Sequence, residues 1–434
     1  MVKKMAAVLT GIIVAAVAFG CGGAKPNGVT VPEYDNQLEM MIGGWNSPVV
    51  TLADYQLAKD MGLTHMFVDE ALGLRGTPNF VRNLEYCEAV GLKAIVSMGN
   101  AMSQESTTVD NTDYSQYPAV TAINYWDEPS DAILPQVAEL AEQHMTRYGD
   151  KLMFYANLLP NDATSYFGGL TFEEHVNKYC SDVLGKLTSG TKMLSCDIYP
   201  LVYKSGVHSL KSTWLAGVER IAIAANANGA ESHFFIQATE HYSYPAATEQ
   251  SLRYQFFVNM AFGIRSFTYF TYAGSVASGW GKPLVSKDQS CKTYPAYEYA
   301  KTVNAELKAL QSIYLSYKWL GTLPVIGTDN EEETNTNFAG LSDPLERISF
   351  IKRQLASQDT LMGEFVDADG RNGLLVTNFS NPFDDQSDVV KIEFNNAKKV
   401  AMYTKGIEKI YNLKDNVIEF KLEPGQGAFL IPLA

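Results

Sequence analysis

The stretch NYWDEPS, residues 124–130, places two adjacent carboxylates directly after an apolar run. Pro129 follows Asp127 and Glu128 and ends whatever regular structure precedes it. Acids at such a place either cap the next helix, a role for which Ser130 competes, or transfer protons at the end of a strand. The surrounding elements must decide between these two roles.

Short apolar runs alternate with amphipathic segments of helical spacing over residues 38–318. The segments MGLTHMFV (61–68) and VGLKAIV (90–96) repeat one pattern, in which a helix ends at glycine and a strand follows. Eight such strand–helix units in about 275 residues predict an α/β fold, a (β/α)8 TIM barrel. An open doubly wound sheet is the alternative, but no glycine-rich phosphate loop follows the first strand.

Residues 319–434 show a different pattern, with short alternating strands separated by Asp-Gly and Asn-Gly turns. This region predicts a small C-terminal all-β sandwich domain. The segment DADGRNG (367–373) has the acid spacing of a calcium loop but lacks its terminal bidentate glutamate, so a tight hairpin turn is the better interpretation.

The carboxyl ends of barrel strands carry the functional side chains of such enzymes, so the predicted strand ends form a short set of candidates. Acids, amides and aromatics dominate this set: Trp45, Asn46, Asp69, Glu70, Asn100, Trp126, Asp127, Glu128, Asn157, Asp197, Tyr199, Gln237, Glu240, His241, Tyr269 and Tyr272. Few cations and one histidine occur there, so we expect neither a metal nor another cofactor.

These residue types suit a carbohydrate. Carboxylates and amides exchange hydrogen bonds with hydroxyl groups, and the apolar faces of a pyranose lie against aromatic rings. Cleavage of a glycosidic bond requires two carboxyl groups that flank it. One of them must have a raised pKa to carry a proton, as a carboxyl walled by Tyr125 and Trp126 would.

The motifs carry a family resemblance. The ending WDEPS, the segments NLLPN, CDIYPL and YFTYAG, and the β domain after the barrel resemble retaining glycoside hydrolases of the large (β/α)8 clan that includes β-galactosidases and cellulases, and within it a bacterial, often unclassified, lipoprotein-like subgroup. The resemblance implies that Glu128 is the general acid/base, with Asp127 where the clan usually has asparagine. It also favours retention of configuration.

The second carboxylate is less well defined. The resemblance implies a nucleophilic glutamate at the end of the seventh strand, but Gln237 stands near that place and Glu240 comes three residues later. Asp197 on the sixth strand is the substitute and would suit an inverting enzyme, and Asp69 or Glu70 is a third choice. The missing glutamate also supports a competing hypothesis, a carbohydrate-binding protein on a degenerate hydrolase barrel.

The first 21 residues, MVKKMAAVLTGIIVAAVAFGC, predict export. Two lysines precede an apolar run that is too short for a comfortable membrane span. The small residues before Cys21 resemble a bacterial lipoprotein signal, which implies a signal peptide over 1–20, a lipid anchor at Cys21 and a flexible tether over 21–37. A plain cleaved signal peptide is the alternative, and the pattern leaves open which side of the cell envelope the protein faces.

Other partners are constrained by charge and cysteine spacing. The net charge of −14 argues against nucleic acid, whose phosphates need a basic surface. The remaining cysteines, Cys87, Cys180, Cys196 and Cys291, lack the CxxC spacing of a zinc site. Oligomeric state has no signature in this sequence.

Overall fold

A computed structural model of the chain describes residues 34–68, 78–98, 112–276, 280–329 and 338–433. Residues 34–434 cluster as one compact unit. The predicted signal peptide, Cys21 and most of the predicted tether lie outside the described residues, as do Asp69, Glu70 and Asn100.

Eight parallel strands close into a barrel in the order β1-β10-β9-β6-β5-β4-β3-β2. They are β1 (Met41–Gly44), β2 (His65–Val68), β3 (Lys93–Ser97), β4 (Val120–Asp127), β5 (Met153–Leu158), β6 (Met193–Cys196), β9 (Glu231–Gln237) and β10 (Ser266–Phe270). The predicted barrel is therefore confirmed. A short hairpin between the sixth and seventh barrel strands, β7 (Leu201–Lys204) and β8 (Val207–Leu210), was not predicted.

Helices surround the barrel: α1 (Leu52–Met61), α2 (Pro78–Val90), α3 (Leu134–Tyr148), α4 (Phe172–Asp182), α5 (Trp214–Ala227), α6 (Glu249–Ala261) and α7 (Pro295–Leu315). Local sequence sets their ends. Gly62 ends α1 with φ of 102°, a backbone conformation that glycine adopts without strain, and Thr171 with Glu174 forms a capping box at the start of α4. The described residues between β3 and β4 contain only a 3₁₀ turn, Tyr114–Gln116.

The barrel interior is filled by side chains rather than open. Met41, Phe67, Ile95, Ala122, Tyr155 and Met193 pack together inside it. Trp45 lies over them, with its ring centroid 4.9 Å from that of Phe67 and 5.3 Å from that of Phe235. The alternation of inward and outward residues explains why each strand contributes every second residue to this core.

Two antiparallel sheets follow the barrel and form the predicted sandwich. One has the order β13-β15-β16-β21-β18-β19, from β13 (Tyr317–Val325), β15 (Thr360–Asp367), β16 (Asn372–Asn378), β21 (Gly427–Leu433), β18 (Lys399–Thr404) and β19 (Ile407–Asn412). The other pairs β14 (Ile351–Ala356), β17 (Asp388–Phe394) and β20 (Val417–Leu422).

The segment DADGRNG is a hairpin turn between β15 and β16. The Asp367 carboxylate accepts the backbone N–H groups of Asp369 and Arg371 and pairs with the Arg371 guanidinium at 2.6 Å. Its lone pairs are therefore used within the turn.

The β domain packs directly on α6. A Cβ added at Gly427 of β21 would lie 2.3 Å from the Phe257 ring, and one at Gly363 of β15 would lie 2.3 Å from the Ala261 carbonyl oxygen. Side chains from Ser251 to Ala261 are consequently buried on every side of the helix. A helix covered by a sheet on both sides has no need of a polar face.

No helix in the described ranges is both long enough and apolar enough to cross a membrane. The thiols of Cys87, Cys180 and Cys196 are free and buried, and that of Cys291 is free and exposed.

Candidate active site

A β-bulge shapes the end of β4. Asn124 pairs with Tyr155 of β5, but Trp126, not Tyr125, pairs with the next residue, Ala156. In a regular strand, residues three apart point to opposite faces. Because of the extra residue, both Asn124 and Asp127 point into the barrel mouth, where Asn124 contacts Ser97 at 3.5 Å and Asp127 contacts Asn157 at 3.3 Å.

Three carboxyl groups meet at this mouth: Asp127, Glu128 and Asp197, which we call the carboxyl cluster. Glu128 follows the last residue of β4, and its N–H donates to the Asn157 carbonyl at 2.8 Å. Asp197 follows the last residue of β6. All three side chains are partly accessible to solvent, and the Glu128 and Asp197 carboxyls are within hydrogen-bond reach of one another.

Burial and mutual repulsion raise the pKa of every member of the carboxyl cluster. Desolvation is the main cause for Asp127, whose pKa is raised to about 7, and the Glu128 charge adds to it. Desolvation also raises the pKa of Glu128, against the hydrogen bond with Asp197. The pKa of Asp197 is raised well above its usual value by burial and by the two neighbouring acids. Ionisation of either carboxyl of the Glu128–Asp197 pair therefore makes ionisation of the other less favourable.

Polar atoms without partners lie beside the cluster. Within the described residues, Oδ1 of Asp197 and the Tyr199 hydroxyl are buried and make no hydrogen bond. Buried polar groups are nearly always hydrogen-bonded, so such atoms indicate a place for a polar ligand.

A buried hydrogen-bond network orients the donor that faces the cluster. The Ser195 hydroxyl donates to Asn157 Oδ1 at 2.8 Å and lies 2.8 Å from His233 Nδ1, and His233 Nε2 lies 2.8 Å from the Thr268 hydroxyl. Burial lowers the pKa of His233 to about 3, so the ring is neutral. Because Asn157 Oδ1 accepts the Ser195 hydroxyl, the amide group is oriented with Nδ2 toward Asp127.

An open pocket of about 360 Å³ lies at the barrel mouth, lined by residues that follow the first, seventh and eighth barrel strands. Its wall includes three aromatics and three polar residues: Trp45, Phe270, Trp280, Asn46, Thr239 and Thr271. The Phe270 ring lies 5.8 Å from that of Tyr199, which links the pocket to the residue two positions beyond Asp197. Aromatic walls with a few convergent polar groups, at this size, suit a small polar ligand.

Backbone strain coincides with these residues. Asn46, Glu128 and Tyr242 all have positive φ values, of 67°, 56° and 50°, although none is glycine. Strained conformations of this kind persist where the surrounding structure holds them and are enriched at functional sites. The peptide between Phe270 and Thr271, at the pocket wall, is cis.

The structure brings together a large part of the predicted site. Glu128, Asp127, Asp197 and Asn157 meet in or beside the carboxyl cluster, and Tyr199 is next to it. Trp45 and Asn46 line the pocket, and His241 stacks on Trp280 with ring centroids 4.9 Å apart. Trp126, which directly precedes Asp127 in the sequence, is buried.

Other predicted residues lie elsewhere. Glu240 is exposed, and its side chain lies against Gly281 rather than beside Glu128. Gln237 is buried, and its amide group donates to the Pro245 carbonyl at 2.5 Å. Tyr269 turns outward to α7, where its hydroxyl donates to Asn304 at 2.7 Å.

Tyr272 is also fully buried, and its Cβ atom packs close to Gly44. The sequence reasoning named Thr271 at the end of the eighth strand but missed Phe270, Thr239 and Trp280. The alternation along β10, in which Thr268 points inward to His233, was the available signal, since it places Phe270 and not Tyr269 on the inner face.

In the part of the chain that the structure describes, no group of three His, Cys, Asp or Glu side chains is arranged to hold a metal ion.

Comparison with known proteins gives the fold. No family model and no curated protein sequence matches the chain. A family 27 β-L-arabinopyranosidase from Geobacillus stearothermophilus superposes with a TM-score of 0.50 at 10% identity, over 92% of this chain and 98% of the other. The chain shares the barrel fold of this glycoside hydrolase, which confirms the fold predicted from the sequence.

Two further solved structures match with lower scores. A family 39 glycoside hydrolase from Bacteroides cellulosilyticus WH2 has a TM-score of 0.49 at 12% identity, over 93% of this chain and 83% of the other. A family 30 endoxylanase from Clostridium papyrosolvens C71 has a TM-score of 0.47 at 10% identity, over 92% and 97%.

Proposed function

We propose that this protein hydrolyses glycosidic bonds in an oligo- or polysaccharide and that Glu128 and Asp197 are its carboxyl pair. The carboxyl cluster carries this proposal, because it places two acids with raised pKa values together at a barrel mouth that also holds an aromatic pocket. The glycoside-hydrolase fold supports it.

In the proposed reaction the proton of the pair moves to Glu128 as the sugar enters. Glu128 then protonates the leaving oxygen, and the Asp197 carboxylate attacks the anomeric carbon to form a glycosyl-enzyme ester. Glu128 then removes a proton from water, which hydrolyses that ester. We favour retention because the two carboxyls are in contact, whereas inversion requires a gap of about 6.5 to 9.5 Å for water. The entering glycosidic bond must separate the pair to about 5 to 5.5 Å.

Asp127 and Asn157 have a supporting role in this proposal. Asn157 Nδ2 donates to Asp127 Oδ1, and the two side chains face the space where a sugar beside Asp197 would lie. An acceptor and a donor side by side can bind a sugar hydroxyl in one orientation.

Leaving-group dependence tests the assignment. Aryl glycosides with a 4-nitrophenyl and with a 2,4-dinitrophenyl leaving group form a matched pair, because the second needs no protonation to leave. Glu128→Gln should lower kcat/KM on the first by about a hundredfold to ten-thousandfold and on the second far less. Asp197→Asn should lower both equally.

Two outcomes contradict these assignments. If Glu240→Gln loses as much activity on both substrates as Asp197→Asn, then Glu240 and not Asp197 is the nucleophile. If the wild type cleaves no glycoside in a broad panel of sugars and anomers, hydrolysis is not its function.

A binding protein without turnover is the second candidate. It is favoured by Gln237, which ends β9 with a buried amide and supplies no carboxylate. Saccharide binding by both the wild type and Glu128→Gln, with no cleavage by either, would establish this second function.

We also propose that the protein is exported and anchored through lipidated Cys21. The lysines, the apolar run and the small residues before Cys21 support this. Metabolic labelling with a radioactive fatty acid should mark the wild type, and Cys21→Ser should be unlabelled and released from the membrane fraction.

A further inference from the structure

Exposed aromatic side chains are concentrated on one end of the barrel. In the described ranges, the exposed large hydrophobic residues include three aromatics, Tyr166, Tyr203 and Tyr242, with exposed fractions of 58%, 46% and 86%. Each lies on a connection that follows a barrel strand, β5, β6 and β9 respectively. Single exposed aromatics are ordinary, but chance would not place all three at the mouth that holds the carboxyl cluster. We call these residues the tyrosine rim.

Backbone hydrogen bonds tie the tyrosine rim to the site. The Tyr166 carbonyl accepts the N–H of Asp131, three residues beyond Glu128, at 2.9 Å. The Tyr203 N–H donates to the Ser243 carbonyl at 2.6 Å, which joins its hairpin to the turn that carries Tyr242. The positions of these tyrosines are therefore fixed by the same loops that hold the catalytic candidates.

Tyr242 is held in place rather than loosely exposed. It occupies a tight turn in which His241 and Tyr244 exchange backbone hydrogen bonds of 3.2 and 2.8 Å. Its φ of 50° is a conformation that favours glycine or asparagine over a bulky aromatic. A tyrosine there gains no burial that would offset this strain, which points to a use for the ring outside the fold.

The Tyr242 ring continues a series of aromatics that starts at the cluster. Tyr199 contacts Phe270 at 5.8 Å between centroids, Phe270 contacts Trp280 at 5.7 Å, and Trp280 contacts Tyr242 at 6.1 Å. Exposure increases along this series from buried Tyr199 to Tyr242. A ligand that occupies the pocket can extend along it into solvent without losing contact with aromatic rings.

We propose that the tyrosine rim, and Tyr242 above all, binds sugar rings beyond the pair at the cleaved bond, so that the substrate is a saccharide chain of several units. The proposal rests on the proposed function for the sugar nature of the ligand. A tyrosine ring offers a flat apolar face to the C–H face of a pyranose and a hydroxyl that stays solvated or bonds to the sugar.

Calorimetric titration of the turnover-deficient Asp197→Asn protein tests the proposal. The probes are cellohexaose, xylohexaose, mannohexaose and β-1,4-galactohexaose, each compared with its disaccharide. At least one hexasaccharide should bind ten times more tightly than its disaccharide or better. Adding Tyr242→Ala should reduce this ratio at least fivefold, and adding Tyr242→Trp should preserve it, because a ring is retained.

Ile407→Ala is the matched surface control, because Ile407 is 65% exposed on β19 of the β domain, outside the rim. It should leave the ratio unchanged. The proposal is overturned if no hexasaccharide exceeds its disaccharide, or if Tyr242→Ala weakens both by the same factor. Chain-dependent binding without wild-type turnover would uphold the rim and defeat hydrolysis. Cleavage of disaccharides without any preference for longer chains would support hydrolysis and contradict the proposed role of the tyrosine rim.

Discussion

Buried acids in the β domain and at the barrel mouth are surrounded in opposite ways. In the β domain, Asp388 accepts the N–H groups of Ser357 and Gln358 at 3.0 Å each and the hydroxyl of Thr360. In the carboxyl cluster, the acids face chiefly one another, and Asn157 Nδ2 is the amide donor directed at Asp127. The first arrangement uses an acid to organise chain segments, and the second holds acids ready for a ligand.

The same contrast appears on the outside of the barrel. Glu219 of α5 accepts the Ser342 N–H at 2.6 Å, the Ser342 hydroxyl at 2.8 Å and the Asp343 N–H at 3.2 Å. It ties the segment between β13 and β14 of the sandwich to the barrel. Loss of a well-bonded acid should therefore cost stability, whereas loss of a cluster acid should cost activity and spare or raise stability.

The largest stability effect is expected in the β domain. Asp388→Ala leaves two N–H groups and a hydroxyl without their acceptor, which should lower the free energy of unfolding by about 3 kcal/mol. Asp388→Asn keeps an acceptor oxygen for the N–H groups and should lose less. Urea unfolding measures both, and equal losses for the two variants would contradict this account of Asp388.

Asp127→Asn should raise stability in a pH-dependent way. The pKa of Asp127 is about 7 in the folded protein and about 3.9 in an unfolded chain, so ionisation destabilises the fold increasingly between these values. The full shift corresponds to about 4 kcal/mol, and the partial exposure of Asp127 reduces it. The variant should match the wild type near pH 4 and exceed it by about 2 kcal/mol at pH 8. Urea unfolding at both values measures the difference. A constant difference across this range would show that the carboxyl does not titrate as the cluster requires.

The smallest effect concerns the backbone of Glu128. Because its φ is 56°, Glu128→Gly should be more stable than Glu128→Ala by about 1 kcal/mol. Glu231, at the exposed start of β9, is the control, since glycine should there be less stable than alanine by about 0.5 to 1 kcal/mol. Thermal unfolding of the four variants measures the stability difference between glycine and alanine at each position. If that difference has the same sign at both positions, the backbone of Glu128 is not strained.

Much of the architecture was predictable because it follows from alternation. Repeated strand–helix units defined the barrel, and the strand ends then brought Glu128 and Asp197 into consideration although 69 positions separate them in the chain. Their contact was not predictable, since it depends on which two strands lie close enough at the mouth. The bulge at Tyr125 was also invisible, because an extra residue in a strand leaves no mark in composition.

A prediction that is wrong by one residue along a strand matters more at the site than in the core, because it assigns the wrong side chain to the barrel interior. Tyr269 and Phe270 are both aromatic, so hydrophobicity alone cannot say which points inward, and the hydrogen bond between Thr268 and His233 decides it. The strands β13 and β14 were missed because they precede the Asp-Gly and Asn-Gly turns used to recognise the sandwich. The positions of the Gln237 and Glu240 side chains were not predictable either, because a loop after a strand end has no sequence periodicity that shows which side chains point inward.

The burial of α6 between the barrel and the sandwich has a consequence for the timing of folding. Gly427, whose lack of a side chain makes room for Phe257, lies 157 residues after Phe270, the last residue of β10. A ribosome releases the N-terminal end first, so the barrel strands are complete long before the sheet that covers α6 exists. Until then the outer side of that helix exposes apolar side chains to water. The nascent barrel should therefore depend on chaperones, or remain unfolded, until β21 has been made.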